Sequence, residues 1–392
     1  MGALIPPHPF PARMSPGLAL AALQEGEICG PILDPMCGSG TVIRAAIENG
    51  HRAIGLDMDP LAVLMSRVWT TPIDADDVEL DATKLVRKAV SLHRRGVKLP
   101  WIDEDPETAR FAEYWFAHNQ MRDLRSLASL LIEEHGAVAD VLRLALSRTI
   151  ITKDKGASLG RDVSHSRPHR VMLENDYDVM KGFVRAARDV ARKIGAPRRG
   201  RARVGHGDAR SMRSIKTGSV GLVVTSPPYL NAIDYMRGHR LALVWLGHQL
   251  GELRSIRANS IGCERSLNED RQDDLEGLLS AVPANGLPPR VRRILHRYAL
   301  DLLLSMREVA RVLRSGAQAV LVVGNSTSRN VFIDNASIVL SAAARHGLSL
   351  VERAERELPM SRRYLPPPSS TEESDLRRRM RTEVVLRLTK RS

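Results

Sequence analysis

Short apolar runs that stop abruptly at an acid, a hydroxyl or a proline alternate along this chain with longer stretches whose apolar residues recur every three or four positions. The first run, Ile32-Leu33-Asp34-Pro35, leads into Met36-Cys37-Gly38-Ser39-Gly40-Thr41 and then an amphipathic stretch that closes at Gly50. This pattern predicts strand, glycine loop and helix with a glycine stop. A second strand is expected within 51–60, ending at Asp57, which completes a right-handed parallel βαβ unit. Further strands are expected over 202–209, 220–226, 317–326, 348–358 and 383–389. Helices are expected over 234–256, 290–316 and 335–347. Seven strands alternating with helices and ending in two consecutive strands predict an α/β fold. It is Rossmann-like, a doubly wound seven-stranded sheet with an antiparallel terminal hairpin.

Between Asp57 and the strand at 202 lie about 140 residues, far more than an ordinary crossover. A helical insertion is the simplest account. Asp105-Pro106-Glu107 caps one long helical pattern through 136, and further helical patterns cover 137–151 and 177–195. The polar, basic stretch 152–170 reads as a loop. The expected division is therefore a discontinuous sheet domain, 1–75 and 196–392, interrupted by a mainly helical insertion, 76–195, which is a candidate nucleic-acid-binding region.

Composition narrows the class. The 392 residues carry 58 Lys+Arg against 45 Asp+Glu, a net charge of +13, which favours a polyanionic partner, nucleic acid before membrane. Basic runs lie at 166–170, 198–203 and 376–381. Each alone is more often an ordinary solvated surface. The three cysteines, Cys29, Cys37 and Cys263, are widely spaced, which speaks against a disulfide framework or a zinc cluster, and no metal is expected. No run has the length of a membrane span or a signal peptide, so a cytoplasmic protein without membrane association is expected.

Candidate chemistry collects where strands end, as ligands do in open α/β sheets. Gly38 and Gly40 allow close backbone approach beside free helix amides. Asp57 is placed to accept from a ribose diol, and Asp208 could accept from an adenine amino group. The loop is no Walker loop, since no Lys-Ser/Thr follows the glycines, and it lacks the third glycine of the dinucleotide fingerprint. A tight turn and ordinary strand-end caps would account for these residues one by one. The run Val223-Val224-Thr225-Ser226-Pro227-Pro228-Tyr229 is the second such end: the prolines cannot donate to a ladder, so the strand must stop there in a rigid turn.

Together, Asp34-Pro35-Met36-Cys37-Gly38-Ser39-Gly40-Thr41 and Thr225-Ser226-Pro227-Pro228-Tyr229 resemble the cofactor loop and catalytic motif of the S-adenosylmethionine-dependent DNA amino-methyltransferases. The resemblance covers roughly 8–75 and 200–392. It implies S-adenosyl-L-methionine as cofactor, held by Asp34, Pro35, Cys37, Gly38, Gly40 and Thr41, with Asp57 on the ribose and Asp208 on the adenine side. Phe10 lies in the segment 8–23 that resembles the family's cover for the methionine end. Cys37 also reads simply as a small apolar side chain.

It further implies that Ser226 and the Pro227 carbonyl hold an exocyclic amino group of an extruded base, that Pro228 stiffens the turn, and that Tyr229 stacks on the base. Serine before the two prolines is usual for cytosine N4 and Asp or Asn for adenine N6, so cytosine N4 is favoured. Carbon-5 methylation is disfavoured, because no cysteine follows a proline. Candidate contacts to DNA are Asn231, Asp234, Tyr235, Arg237 and Arg240 after the motif, and Arg167 and Arg170 in the insertion. His239 is expected to hydrogen-bond and Trp245 to be core. The chain departs from the family in placing its insertion between the second and third strands, which leaves its recognition role open; the segment 260–265 has no chemical account. Rival readings are an RNA guanine-N2 methyltransferase and a non-catalytic nucleic-acid-binding protein. A cognate restriction endonuclease is a possible companion.

Overall fold

The computed structural model describes residues 4–10, 13–24, 26–94, 96–151, 155–161, 169–195, 199–230, 234–262, 278–279, 287–328, 331–358 and 382–391. Asn231, Arg167, Cys263 and the basic run at 376–381 lie outside the described residues.

The strands of the main sheet form where the apolar runs lie: β1 (Ile32–Asp34), β2 (Arg52–Asp57), β5 (Arg201–His206), β6 (Val220–Thr225), β7 (Leu313–Gly324), β10 (Leu348–Glu357) and β11 (Thr382–Lys390). Small two-stranded ribbons are made by β3 (Gly160–Arg161) with β4 (His169–Arg170), and by β8 (Ser326–Ser328) with β9 (Val331–Ile333). The main sheet has the order β10-β11-β7-β6-β1-β2-β5. β1 pairs in parallel with both β2 and β6, and β11 runs antiparallel between β7 and β10. The seven strands, the parallel centre and the antiparallel close are those expected from the sequence: a Rossmann-like α/β sheet. The order reverses at β1 and β6, so the carboxyl ends of those two strands define the crevice where such sheets bind ligands.

The helices are α1 (Pro16–Leu23), α2 (Thr41–Glu48), α3 (Pro60–Thr70), α4 (Ala75–Leu92), α5 (Pro100–Asp103), α6 (Pro106–Trp115), α7 (His118–Glu133), α8 (Ala137–Ile150), α9 (Val179–Ile194), α10 (Tyr235–Leu243), α11 (Leu250–Asn259), α12 (Pro289–Val312) and α13 (Asn335–Ala344). None of the described helices is long and apolar enough to cross a membrane.

Four expectations need correction. The long helix drawn through 136 breaks after Trp115, because Phe116 turns extended and buries its ring edge-on against Trp245, with centroids 5.0 Å apart. The helix drawn over 234–256 breaks at Gly247, whose φ of 99° is left-handed and closed to most side chains. Residues 160–161 and 169–170, read as loop, pair as a ribbon. The last expected helix before β7 ends at Val312, and the strand begins at once at Leu313.

The sheet and helices share the burial among three apolar clusters. One packs β1, β6, β7, β11 and α12, including Leu33, Val223, Leu321 and Leu386; another packs α1 and α2 against Ile32, Val224 and Val320. The third holds the inner faces of α4 to α9, and it also takes in Leu61, Leu64, Met65 and Val68 of α3, with Met236, Leu241 and Trp245 from α10 and the turn beyond it. Trp245 is a core residue, as its helical spacing suggested, at 1% exposure. The helices of the insertion thus close over the same apolar interior as the elements that flank the two strand-end motifs.

Candidate active site

The glycine loop is built from its neighbours. Cys37 donates its backbone amide to the Leu56 carbonyl at 2.9 Å, fastening the loop to the end of β2. The Gly38 amide donates to Oδ2 of Asp57 at 2.8 Å, and Oδ1 of Asp57 accepts from the Asp59 amide at 3.0 Å. Gly38 and Gly40 take positive φ values of 49° and 86°. A Cβ on Gly38 would lie 3.0 Å from the Phe10 ring, so that ring roofs the loop. No side chain caps α2, whose first-turn amides therefore face the crevice end without an internal partner. Thr41 Oγ1 and Ser39 Oγ are buried there without hydrogen-bond partners among the described residues. A closely approached backbone, an uncapped helix start and unsatisfied hydroxyls suit a polar, nucleoside-like ligand.

Asp34 ties this loop to the second motif. Its Oδ1 accepts from the Thr225 hydroxyl at 2.7 Å and from the Met36 amide at 3.2 Å, so the carboxyl ends of β1 and β6 are clasped side chain to side chain. Burial pushes the Asp34 carboxyl up to about 7; the Thr225 and Met36 hydrogen bonds pull the other way, and the charge of Asp57 adds to the rise. Burial likewise pushes Asp57 up to about 6, helped by Asp59 and opposed by the Asp59 and Gly38 amides and by His239. The Cys37 thiol is pushed up by burial and by both aspartates, and its side chain is only 6% exposed, which fits the small apolar reading.

A stability consequence follows for the ligand-free chain. Between pH 4 and 7 the folded chain keeps a proton on Asp34 that the unfolded chain has lost, so stability falls as pH rises through that window, by about 4 kcal/mol at most for this group. In Asp34→Asn the fall should flatten. Melting curves across the window check it, and parallel pH profiles for the two proteins would refute the assignment.

The second motif is pinned at both ends. Ser226 Oγ donates to the Val322 carbonyl of the neighbouring strand at 2.9 Å and lies 3.3 Å from the Tyr229 hydroxyl. Beyond the prolines, the Leu230 carbonyl accepts from Ser326 Oγ at 2.7 Å, and Ser326 in turn is held by Asn335 at 2.8 Å. Pro227 and Pro228 span the interval, so the turn is fixed by chain stiffness inside and by hydrogen bonds outside.

The structure draws Tyr235 and His239 of α10 to the glycine loop. Tyr235, a candidate contact to the base or its neighbours, stacks on Phe10 with centroids 4.9 Å apart and planes at 11°. His239 lies beside both rings and shares a 2.5 Å hydrogen bond between its Nδ1 and Oδ2 of Asp59. Asp59, buried, is nonetheless held below the usual carboxylate range by His239 and by the amides of Leu61 and Ala62. Asp208 has both oxygens on Arg210, whose Nη2 reaches Oδ2 at 2.8 Å. The same guanidinium donates to buried Asp301 at 2.8 Å and to the Asn259 carbonyl at 2.6 Å. Asp208 is therefore oriented by Arg210 and open only to further acceptance. Asp234 accepts from Arg257 at 2.8 Å, with Arg237 3.8 Å away. Arg170 stands on β4, its guanidinium 5.0 Å from the Tyr114 centroid.

Sequence reasoning named Thr225 in the motif without its contact to Asp34, and missed Asp59, Arg210 and Val322, whose contacts join distant segments. It also missed Tyr298 of α12, fully buried with a hydroxyl that has no hydrogen-bond partner among the described residues, its ionisation pushed up by burial and then by nearby Tyr229.

No family model matches the chain. Among characterised proteins it is 22% identical over 389 residues to the Type II methyltransferase M.MvaI of Kocuria varians, covering 91% of this chain and 84% of that one. It is 22% identical over 380 residues to the Type II methyltransferase M.AvaI of Nostoc sp., covering 80% and 72%. Among solved structures it is similar to a DNA modification methylase of Thermus thermophilus in complex with S-adenosyl-L-methionine, with 19% identity, 47% and 52% coverage and a TM-score of 0.24. The strand-end motifs and the similarity over 91% and 80% of this chain point the same way: the chain is similar to Type II methyltransferases.

Proposed function

We propose that the protein transfers a methyl group from S-adenosyl-L-methionine to an exocyclic amino group of a base in DNA, and that the base is cytosine, modified at N4. Relatives that match 91% and 80% of the chain are Type II methyltransferases, which supports the DNA substrate. The geometry at Ser226 carries the chemical reading.

When bound, S-adenosylmethionine supplies an activated methyl carbon on a positively charged sulfur. The chain has to do the rest. An aromatic amino group is a poor nucleophile because its lone pair is delocalised into the ring, so its hydrogens must be gripped for the nitrogen to become tetrahedral. Ser226 meets this need because its own proton is committed to the Val322 carbonyl, which leaves the hydroxyl oxygen as an acceptor. The Pro227 carbonyl is the second acceptor, and the pinned turn presents both without reorganisation. Tyr229 supplies a ring for the extruded base. The clasp between Thr225 and Asp34 keeps the acceptor turn in register with the glycine loop. The candidate cofactor contacts are Gly38, Gly40 and Thr41 at the uncapped helix start, Asp57 for the ribose, and Phe10 with Tyr235 as cover.

The test is transfer of tritiated methyl from the cofactor to unmodified duplex DNA and to structured RNA, followed by sequencing that identifies the modified base. N4-methylcytosine in DNA is expected. N6-methyladenine would overturn the choice of base, and label in RNA alone would overturn the substrate class.

A further inference from the structure

The two helices that follow the catalytic turn along the chain carry concentrated positive charge. Arg237 and Arg240 lie on α10, and Arg254 and Arg257 on α11, which packs against it. Among the described residues these guanidinium groups meet Asp234, approached by Arg257 and Arg237, and Glu107, paired with Arg254. Arg237, Arg254 and Arg257 keep 46%, 59% and 53% of their side chains exposed.

Arg240 is different. It is partly buried, its guanidinium sits 5.2 Å from the Phe111 centroid, and its Nε is buried with no hydrogen-bond partner among the described residues. Burial works against its charge; Asp234 supports it, and Arg237, Arg257 and Arg254 repel it. Like charges crowded around a half-buried cation destabilise a folded chain unless an anion joins them. From Phe111 the rings of α6 continue through Trp115, 6.3 Å away, to Tyr114, 5.2 Å further, on which Arg170 lies. A row of guanidinium and aromatic groups therefore leads from α10 to the β3–β4 ribbon.

We propose that Arg237, Arg240, Arg254 and Arg257 form the surface that binds the phosphodiester backbone of the DNA strand whose base enters the catalytic turn. The inference rests on the DNA-methyltransferase reading above. Phosphate contacts fix register without reading sequence, which is what a strand needs on either side of an extruded nucleotide. Planar guanidinium groups spaced over two adjacent helices suit successive phosphates better than one compact anion. Phe111 holds Arg240 in place from below.

The test uses the full chain with cofactor and a fluorescent mixed-sequence DNA duplex, with binding measured over a range of salt concentrations. Arg254→Gln with Arg257→Gln should weaken binding by roughly tenfold or more and lower the salt slope by about two. Arg240→Gln should lower it by about one. Removing the same charge from the exposed face of α4, with Arg87→Gln and Lys88→Gln, should leave the slope unchanged. Unaltered melting temperatures establish that the variants fold. A wild-type slope in the α11 double variant, or an equal loss in the α4 control, overturns the surface while methyl transfer to DNA by the wild-type chain leaves the function standing. A wild-type chain that binds structured RNA but no duplex DNA overturns both.

Discussion

Replacing Ser226 with alanine should lower turnover about a hundred- to a thousandfold while cofactor affinity, measured by calorimetry, stays at the wild-type value. The expectation comes from where the serine proton goes. Because Ser226 Oγ donates to Val322 at 2.9 Å, the proposed reaction would use the residue as an acceptor and not as part of the cofactor loop. Alanine removes the acceptor and one hydrogen bond between strand ends, and the latter costs only about 1 kcal/mol of stability. Activity should therefore fall far more than the melting temperature does. Unchanged turnover in Ser226→Ala would mean that the reacting nitrogen is gripped elsewhere.

Gly40→Ala should act on the other half of the site, by a steric route. Its φ of 86° is left-handed, which costs an alanine about 1–2 kcal/mol. The new Cβ would also collide with Ser66 Oγ and lie 2.9 Å from the Ser66 Cα. The second neighbour is backbone in the buried middle of α3 and cannot swing aside, so overpacking adds about 1–3 kcal/mol. A fall in melting temperature of about 5–10 °C is expected, together with loss of measurable cofactor binding. Adding Ser66→Ala should recover only part of the stability, since the clash with the α3 backbone remains. A Gly40→Ala protein that melts and binds as the wild type does would show that the loop has another shape.

Much of the fold was legible because its signals are local. Asp34 to Thr41, with apolar residues before and after, encodes strand, turn and helix within a few residues, and the two prolines at 227 and 228 end a strand wherever they stand. Seven runs of that kind suffice to read the sheet. The helix breaks were less legible, because Phe116 leaves its helix to pack on Trp245, a partner remote in the chain. The candidate site divides in the same way. Gly38, Gly40 and Ser226 announce themselves by motif, whereas Thr225 and Asp34 meet across 191 positions and His239 and Asp59 across 180. No spacing encodes such pairs; they exist only once the strands are side by side. Tyr235 reads from its position after the motif as a contact to the base or its neighbours; that its ring lies on Phe10 is another pairing no spacing encodes.

The apolar interior shared by α4 to α9 with α3 and α10 limits how this protein can be re-engineered. Grafting 76–195 alone into another scaffold would strip Leu61, Met65 and Trp245 from its underside and expose a broad greasy face on both products. A chimaera that moves these helices has to carry α3, α10 and the turn at Trp245 along with them.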